Sequence, residues 1–140
     1  MAEGILKHLL ATAYARTSLA KMEVNSAGMQ AEPENEPLRE SVEAAAKFGV
    51  DISQHRSQPL TKELLDAADY VLVMEASHLR SLRFMSPTAS MKTALLKSFI
   101  EKNPKKQDIS DPVGRPLRYH VECFEELMRA IRGFLKYIHH

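Results

Sequence analysis

Apolar residues recur every three or four positions from the start of the chain: Ile5, Leu6, Leu9, Leu10 and Ala13, with Glu3, Lys7 and His8 between them. That spacing predicts an opening helix with no strand before it. Over residues 21–28 the rhythm changes to alternation, with Met22, Val24 and Ser26 set against Glu23 and Asn25. This predicts a short strand ending at Gly28. Residues 30–37 are polar, contain Pro33 and Pro37, and read as a loop. Pro37 suits the first turn of a helix, where a missing N–H costs nothing. Leu38, Val42, Ala45 and Ala46 then form a core-facing stripe, and Gly49 a C-terminal cap. Residues 51–60 are a polar connection, after which Thr61 caps a short helix carrying Leu64 and Leu65. Residues 70–74 are apolar without alternation, which predicts a strand covered on both faces. Residues 77–84 predict a helix, 85–92 a loop and 94–99 a third strand. Residues 101–116 are polar and hold Pro104, Pro112, Gly114 and Pro116. The last helix runs from about Leu117 to Ile138, with Val121, Phe124, Met128, Ile131 and Leu135 on one face.

Strands separated by helices imply an α/β domain with a parallel sheet. A sheet of three strands is small, however, and no strand feeds the first helix. Residues 1–140 therefore read as one domain whose first strand is missing before Met1.

Composition narrows the partners. Lys and Arg number 19 and Asp and Glu 18, a formal charge of +1. Such a balance argues against nucleic acid and against an anionic membrane surface. No apolar run is long enough to span a bilayer. The single cysteine, Cys123, excludes a disulfide framework and a CxxC redox centre within one chain. A lone thiol without a signal peptide points to the cytoplasm. The scattered glycines form neither nucleotide-binding loop, and the six histidines show no metal-ligand spacing, so neither cofactor nor metal is expected. Each histidine reads instead as a surface or hydrogen-bonded residue.

Two residues carry candidate chemistry. Cys123 lies about two turns into the last helix, in a stripe with Leu127, Ala130 and Phe134 and beside Glu122, Glu125 and Glu126. Both settings raise a thiol pKa, so Cys123 reads as a small hydrophobe and not a nucleophile. Arg129 completes a formal Cys-x5-Arg pattern, but inside a continuous helix the backbone N–H groups are already bonded. Asp111 precedes Pro112 in the loop after the last strand, at the end of a parallel sheet where α/β sites gather. Proline pushes Asp111 toward an extended backbone. A general acid and a plain turn residue, supported by Ser110 and Gly114, both fit that position.

The ordered set Met1-Ala-Glu-Gly-Ile-Leu6, Val24-Asn-Ser-Ala-Gly28, Gly49-Val-Asp-Ile52, His55-Arg-Ser57, Thr61, residues 69–74, Ser77-His-Leu79 and Asp111-Pro112 resembles the low-molecular-weight protein-tyrosine phosphatases. It covers nearly the whole chain in collinear order, and the arsenate reductases of the same fold are the relatives most easily confused with it. The resemblance implies a three-layer α/β/α fold with a parallel sheet in the order 2-1-3-4. It also implies phosphomonoester hydrolysis through a cysteinyl-phosphate held in a Cys-x5-Arg loop. Substrates would be a phosphorylated protein or a small phosphoester.

Transferred residue by residue, the resemblance makes Asp111 the general acid, followed by Pro112 of the Asp-Pro motif. Ser26 and His55 become supports of the phosphate loop. Val113 stands where animal members usually carry an aromatic wall of the cleft. Met1 matches the residue two places after the loop serine, so the family's first strand, nucleophile and arginine have no counterpart here. The 140 residues alone are accordingly expected to be inactive, whether as a truncated phosphatase or as a non-catalytic binding protein. The family's first strand lies between its second and third. Its absence predicts that residues 21–28 and 70–74 pair directly, or that a second copy self-associates through the gap.

Overall fold

The computed structural model describes residues 1–29 and 31–139. Gln30, at the start of the polar loop, and the tail residue His140 lie outside the described residues. The elements are α1 (Ala2–Ala11), α2 (Arg39–Lys47), α3 (Lys62–Ala67), β1 (Val71–Val73), α4 (Ala76–Met85), β2 (Thr93–Leu95) and α5 (Leu117–Ile138). Short 3₁₀ turns occupy Ser18–Lys21, Ala89–Lys92, Leu96–Phe99 and Pro104–Lys106.

The sheet is parallel and two-stranded, with Val71 opposite Thr93, Leu72 opposite Ala94 and Val73 opposite Leu95. Its strands alternate as a covered sheet must. Leu72 and Met74 join a core built by α1, α2 and α5, whereas Val71 and Val73 join a second core with Leu65, Leu82 and Ala89. The fold is therefore α/β, with helices packed on both faces.

Three expectations about strands need correction. Residues 22–27 form no strand: Gly28 makes one isolated parallel bridge, to Pro59. The alternation itself is real, because Met22, Val24 and Ser26 are half-buried while Glu23, Asn25 and Ala27 are exposed. A strand also needs a neighbour about 4.8 Å away, and among the described residues β1 pairs only with β2. Direct closure of the gap between these segments does not occur. The third strand ends at Leu95, since Leu96 turns inward to 1% exposure and the chain coils through Leu96–Phe99 beneath α5. Gly133 of α5 permits that approach: a Cβ there would lie 2.8 Å from Ile100 Cγ2 and 3.2 Å from the Phe99 carbonyl oxygen.

The helices follow the sequence more closely. Thr61 caps α3 by accepting from the Leu64 N–H at 3.2 Å, and Gly49 ends α2 with φ of 74°. α2 begins two residues after Pro37, and Leu38 lies outside it, partly exposed; the buried pair is Ala44 and Ala45, not Ala45 and Ala46. Small residues there bring α2 close to α5, where Phe48 stacks on Phe124 at 4.8 Å. Beside them Ser41 Oγ meets Nδ1 of fully buried His120 at 3.2 Å, while His120 Nε2 has no partner among the described residues. Of the two roles expected of the histidines, surface or hydrogen-bonded, His120 takes the second. No helix is long and apolar enough to cross a membrane among the described residues.

Phe124 is fully buried on α5 and stacks on α2. Phe124→Ala is expected to lower unfolding stability by about 3–5 kcal/mol, read from urea denaturation at constant m-value.

Candidate functional site

The head of α1 organises the site through Glu3. Ser26 Oγ donates to Glu3 Oε1 at 3.0 Å, and His55 Nδ1 lies 3.1 Å from Oε2. Lys7, one turn along α1, donates to the same oxygen at 3.2 Å. The irregular segment around Ser26 and the 51–60 connection are thereby tied to one carboxylate. Gln58 Nε2 strengthens the tie by donating to the Ser26 carbonyl at 2.9 Å. Burial pushes the Glu3 pKa up, but the hydrogen bonds from Lys7 and Ser26 outweigh it and hold it below its ordinary value. Sequence spacing gave no sign of this hub. Its one local cue was an acid in a first helical turn, favoured there by the helix dipole. A groove of about 670 Å³ opens beside the hub, lined by Met1, Glu3, Asn25, His55 and Arg56 among others.

Asp111 lies outside that groove. Ile109 N–H donates to the Met74 carbonyl at 2.8 Å, tying the loop to the end of β1. Asp108 Oδ1 accepts from Ala76 N–H at 2.9 Å, adding a tie to the head of α4. Asp111 Oδ1 then accepts from Val113 N–H at 3.0 Å. Arg115 N–H donates to the Pro112 carbonyl at 3.0 Å, closing a turn with Gly114 at φ 78°, a conformation suited to glycine. Pro112 is buried, while Asp111 and Val113 face solvent. One oxygen of the exposed carboxyl is thus fixed by its own loop.

Met1 links the two halves. It lines the groove, and its amino group interacts electrostatically with Cys123, Glu3 and Asp111. Burial holds that amine below its ordinary pKa. Ser26 and His55 therefore come together on Glu3, and Asp111 is not among the residues that line their groove.

Cys123 sits half-buried in α5, its Sγ 3.7 Å from the Ser110 carbonyl oxygen. Burial first, and the Glu126 and Asp111 charges with it, push its thiol up to about 11, against the pull of the Met1 amine. At neutral pH it is a thiol, and α5 runs unbroken through Cys123 and Arg129. Among the described residues no cluster of three His, Cys, Asp or Glu could hold a metal ion.

A family model described as "Low molecular weight phosphotyrosine protein phosphatase" matches residues 1–140. The chain is 30% identical over 132 residues to a "Probable low molecular weight protein-tyrosine-phosphatase EpsP" of Ralstonia nicotianae, covering 94% of this chain and 88% of that one. It is 33% identical over 113 residues to a "Protein-arginine-phosphatase" of Geobacillus stearothermophilus, covering 81% and 74%. The crystal structure of a low molecular weight protein tyrosine phosphatase from T. tengcongensis superposes with a TM-score of 0.82 at 35% identity, over 98% of this chain and 88% of that one.

The lowered Glu3 pKa sets a direction for stability. A carboxylate whose folded pKa lies below its unfolded value, ordinarily 4.5, stabilises the fold above that value and ceases to as pH falls through the folded pKa. Glu3→Gln is expected to melt lower than the parent at neutral pH. The difference should shrink as pH falls below the ordinary glutamate range, which thermal melts across a pH series will show.

Proposed function

The chain belongs to the low-molecular-weight phosphotyrosine protein phosphatase family, and from that premise we propose that its fold serves phosphomonoester hydrolysis through a cysteinyl-phosphate, with Asp111 as general acid. The observation that carries this reading is the Asp111 carboxyl, pinned through one oxygen by Val113 N–H in a loop that Ile109 ties to the end of β1. In the reaction a thiolate forms a bond to phosphorus as the bond to the leaving oxygen breaks. The free oxygen of Asp111 gives that leaving group its proton. The resulting carboxylate then takes a proton from the water that attacks the phosphoenzyme and releases inorganic phosphate. Ser26 and His55 are positioning residues in this scheme, held by Glu3 beneath the head of α1. Pro112 sets the acid's backbone, and Val113 offers an apolar wall without a ring on which an aryl group could stack.

The nucleophile and the phosphate-binding arginine are not supplied by Cys123 and Arg129. A helical thiol near 11 is protonated at neutral pH. Cys123 therefore supplies no turnover of its own. The substrate class is a phosphorylated protein, in line with relatives named for protein-tyrosine and protein-arginine phosphatase activity. The cytoplasm is the proposed compartment. A second copy adding a strand at the open edge of β1 is the proposed mode of self-association, which sedimentation equilibrium tests directly; a monomer at every concentration overturns it.

The 140-residue chain is expected to release no p-nitrophenol from p-nitrophenyl phosphate above the blank. Vanadate-sensitive turnover that Asp111→Asn removes contradicts this. Placing an apolar strand and a Cys-x5-Arg-Ser-Pro loop ahead of Met1 is expected to create turnover. Asp111→Asn in that longer protein should then cut kcat by about 10²–10⁴-fold; an unchanged kcat removes Asp111 from the role of acid.

A further inference from the structure

The turn that fixes Asp111 also delivers Arg115 to a defined place. Arg115 is the last residue of the Pro112–Gly114 turn, and its guanidinium lies 4.8 Å from the centre of the Tyr119 ring. Arg118 lies against the same ring, also at 4.8 Å, and donates from Nη2 to the Tyr119 hydroxyl at 3.1 Å. One half-buried ring thus holds two exposed guanidiniums. Neither forms an ion pair among the described residues, although Glu122 stands one helical turn beyond Arg118.

Two like charges gathered on one ring repel each other, and an exposed cation–π contact returns only part of that cost. The arrangement therefore favours an anion that satisfies both forks together. The planar guanidinium fork matches a carboxylate through two parallel N–H donors. Both arginines lie within seven residues of Asp111 and are joined to it by a closed turn. An anion held there is gripped from the turn and first helical turn that follow Asp111, the segment we take to border the bound substrate.

Taking Asp111 as the acid of the proposed reaction, on which this inference rests, we propose that Arg115 and Arg118, braced by Tyr119, form a specificity-determining subsite for an aspartate or glutamate side chain flanking the phosphorylated residue of a protein substrate. The subsite adds no chemical step. It biases which phosphoproteins dock, and its contribution should fade with salt because both guanidiniums are solvent-exposed.

The test uses the 140-residue chain and two unphosphorylated peptides of equal length, one rich in glutamate and the other with lysine at the same positions. In NMR titrations the glutamate peptide is expected to shift the Arg115, Arg118 and Tyr119 signals. Its Kd should lie at least about fivefold below that of the lysine peptide, a factor that two exposed ion pairs can supply. The Arg115→Gln/Arg118→Gln variant should keep the parent melting temperature and lose the preference. Equal affinity for the two peptides, or a glutamate preference that survives in the double variant, overturns the proposal. Neither probe carries phosphate and no turnover is read. A glutamate preference found together with an inactive loop-restored protein would therefore refute the proposed reaction and leave the subsite standing.

Discussion

Burial of one face of α5 holds the other elements in place, because the sheet is too small to do so. Two strands of three residues each make few ladder bonds, and an isolated pair of strands is marginal in water. α5 instead buries Phe124, Leu127, Ile131, Phe134 and Leu135 over about three turns. α1, α2 and the Leu96–Phe99 turn all pack on it. The close approach at Gly133 and the stacked pair Phe48–Phe124 set two of these contacts at short range. The strands are carried on this helical frame more than they carry it.

The frame also places the chemistry. The Asp111 loop is tied to β1 through Ile109 and to the first turns of α5 through the Ser110 carbonyl and Cys123. On the other side, α1 packs on α5 through Ile5 and Leu9 and brings Glu3 to Ser26 and His55. Cys123 has a structural job in this account, as a half-buried thiol between helix and loop. The same burial that suits it to packing disqualifies it as a nucleophile.

Local pattern read the helices well and the strands poorly, for a physical reason. Helix signals are contained in the helix itself, so α5 was legible to both ends and the Thr61 and Gly49 caps were legible one by one. A strand is defined by its neighbour. Residues 22–27 do alternate in burial, yet among the described residues no strand lies alongside to complete a ladder. At residues 96–99 an apolar run looked like strand because nothing local records how closely Gly133 lets α5 approach. The site divided in the same way. Pro112, a sequence neighbour, drew attention to Asp111, where an acid and a turn residue both fitted until the family resemblance favoured the acid. Glu3 reaches partners 23 and 52 residues away, which no spacing rule could reveal. Family resemblance nominated Ser26 and His55, and the structure adds the carboxylate that unites them.

The buried contact between Ser41 and His120 matters for uniqueness more than for strength. An unpartnered ring nitrogen in the core costs about 1–3 kcal/mol. A slip of α2 by one turn along α5 would part the hydroxyl from the imidazole and leave both ring nitrogens orphaned. An all-apolar seam between these helices would tolerate several rotational settings of similar depth. With one polar pin in the seam a single setting stands clear of the others, and α2 docks in register instead of sampling neighbours.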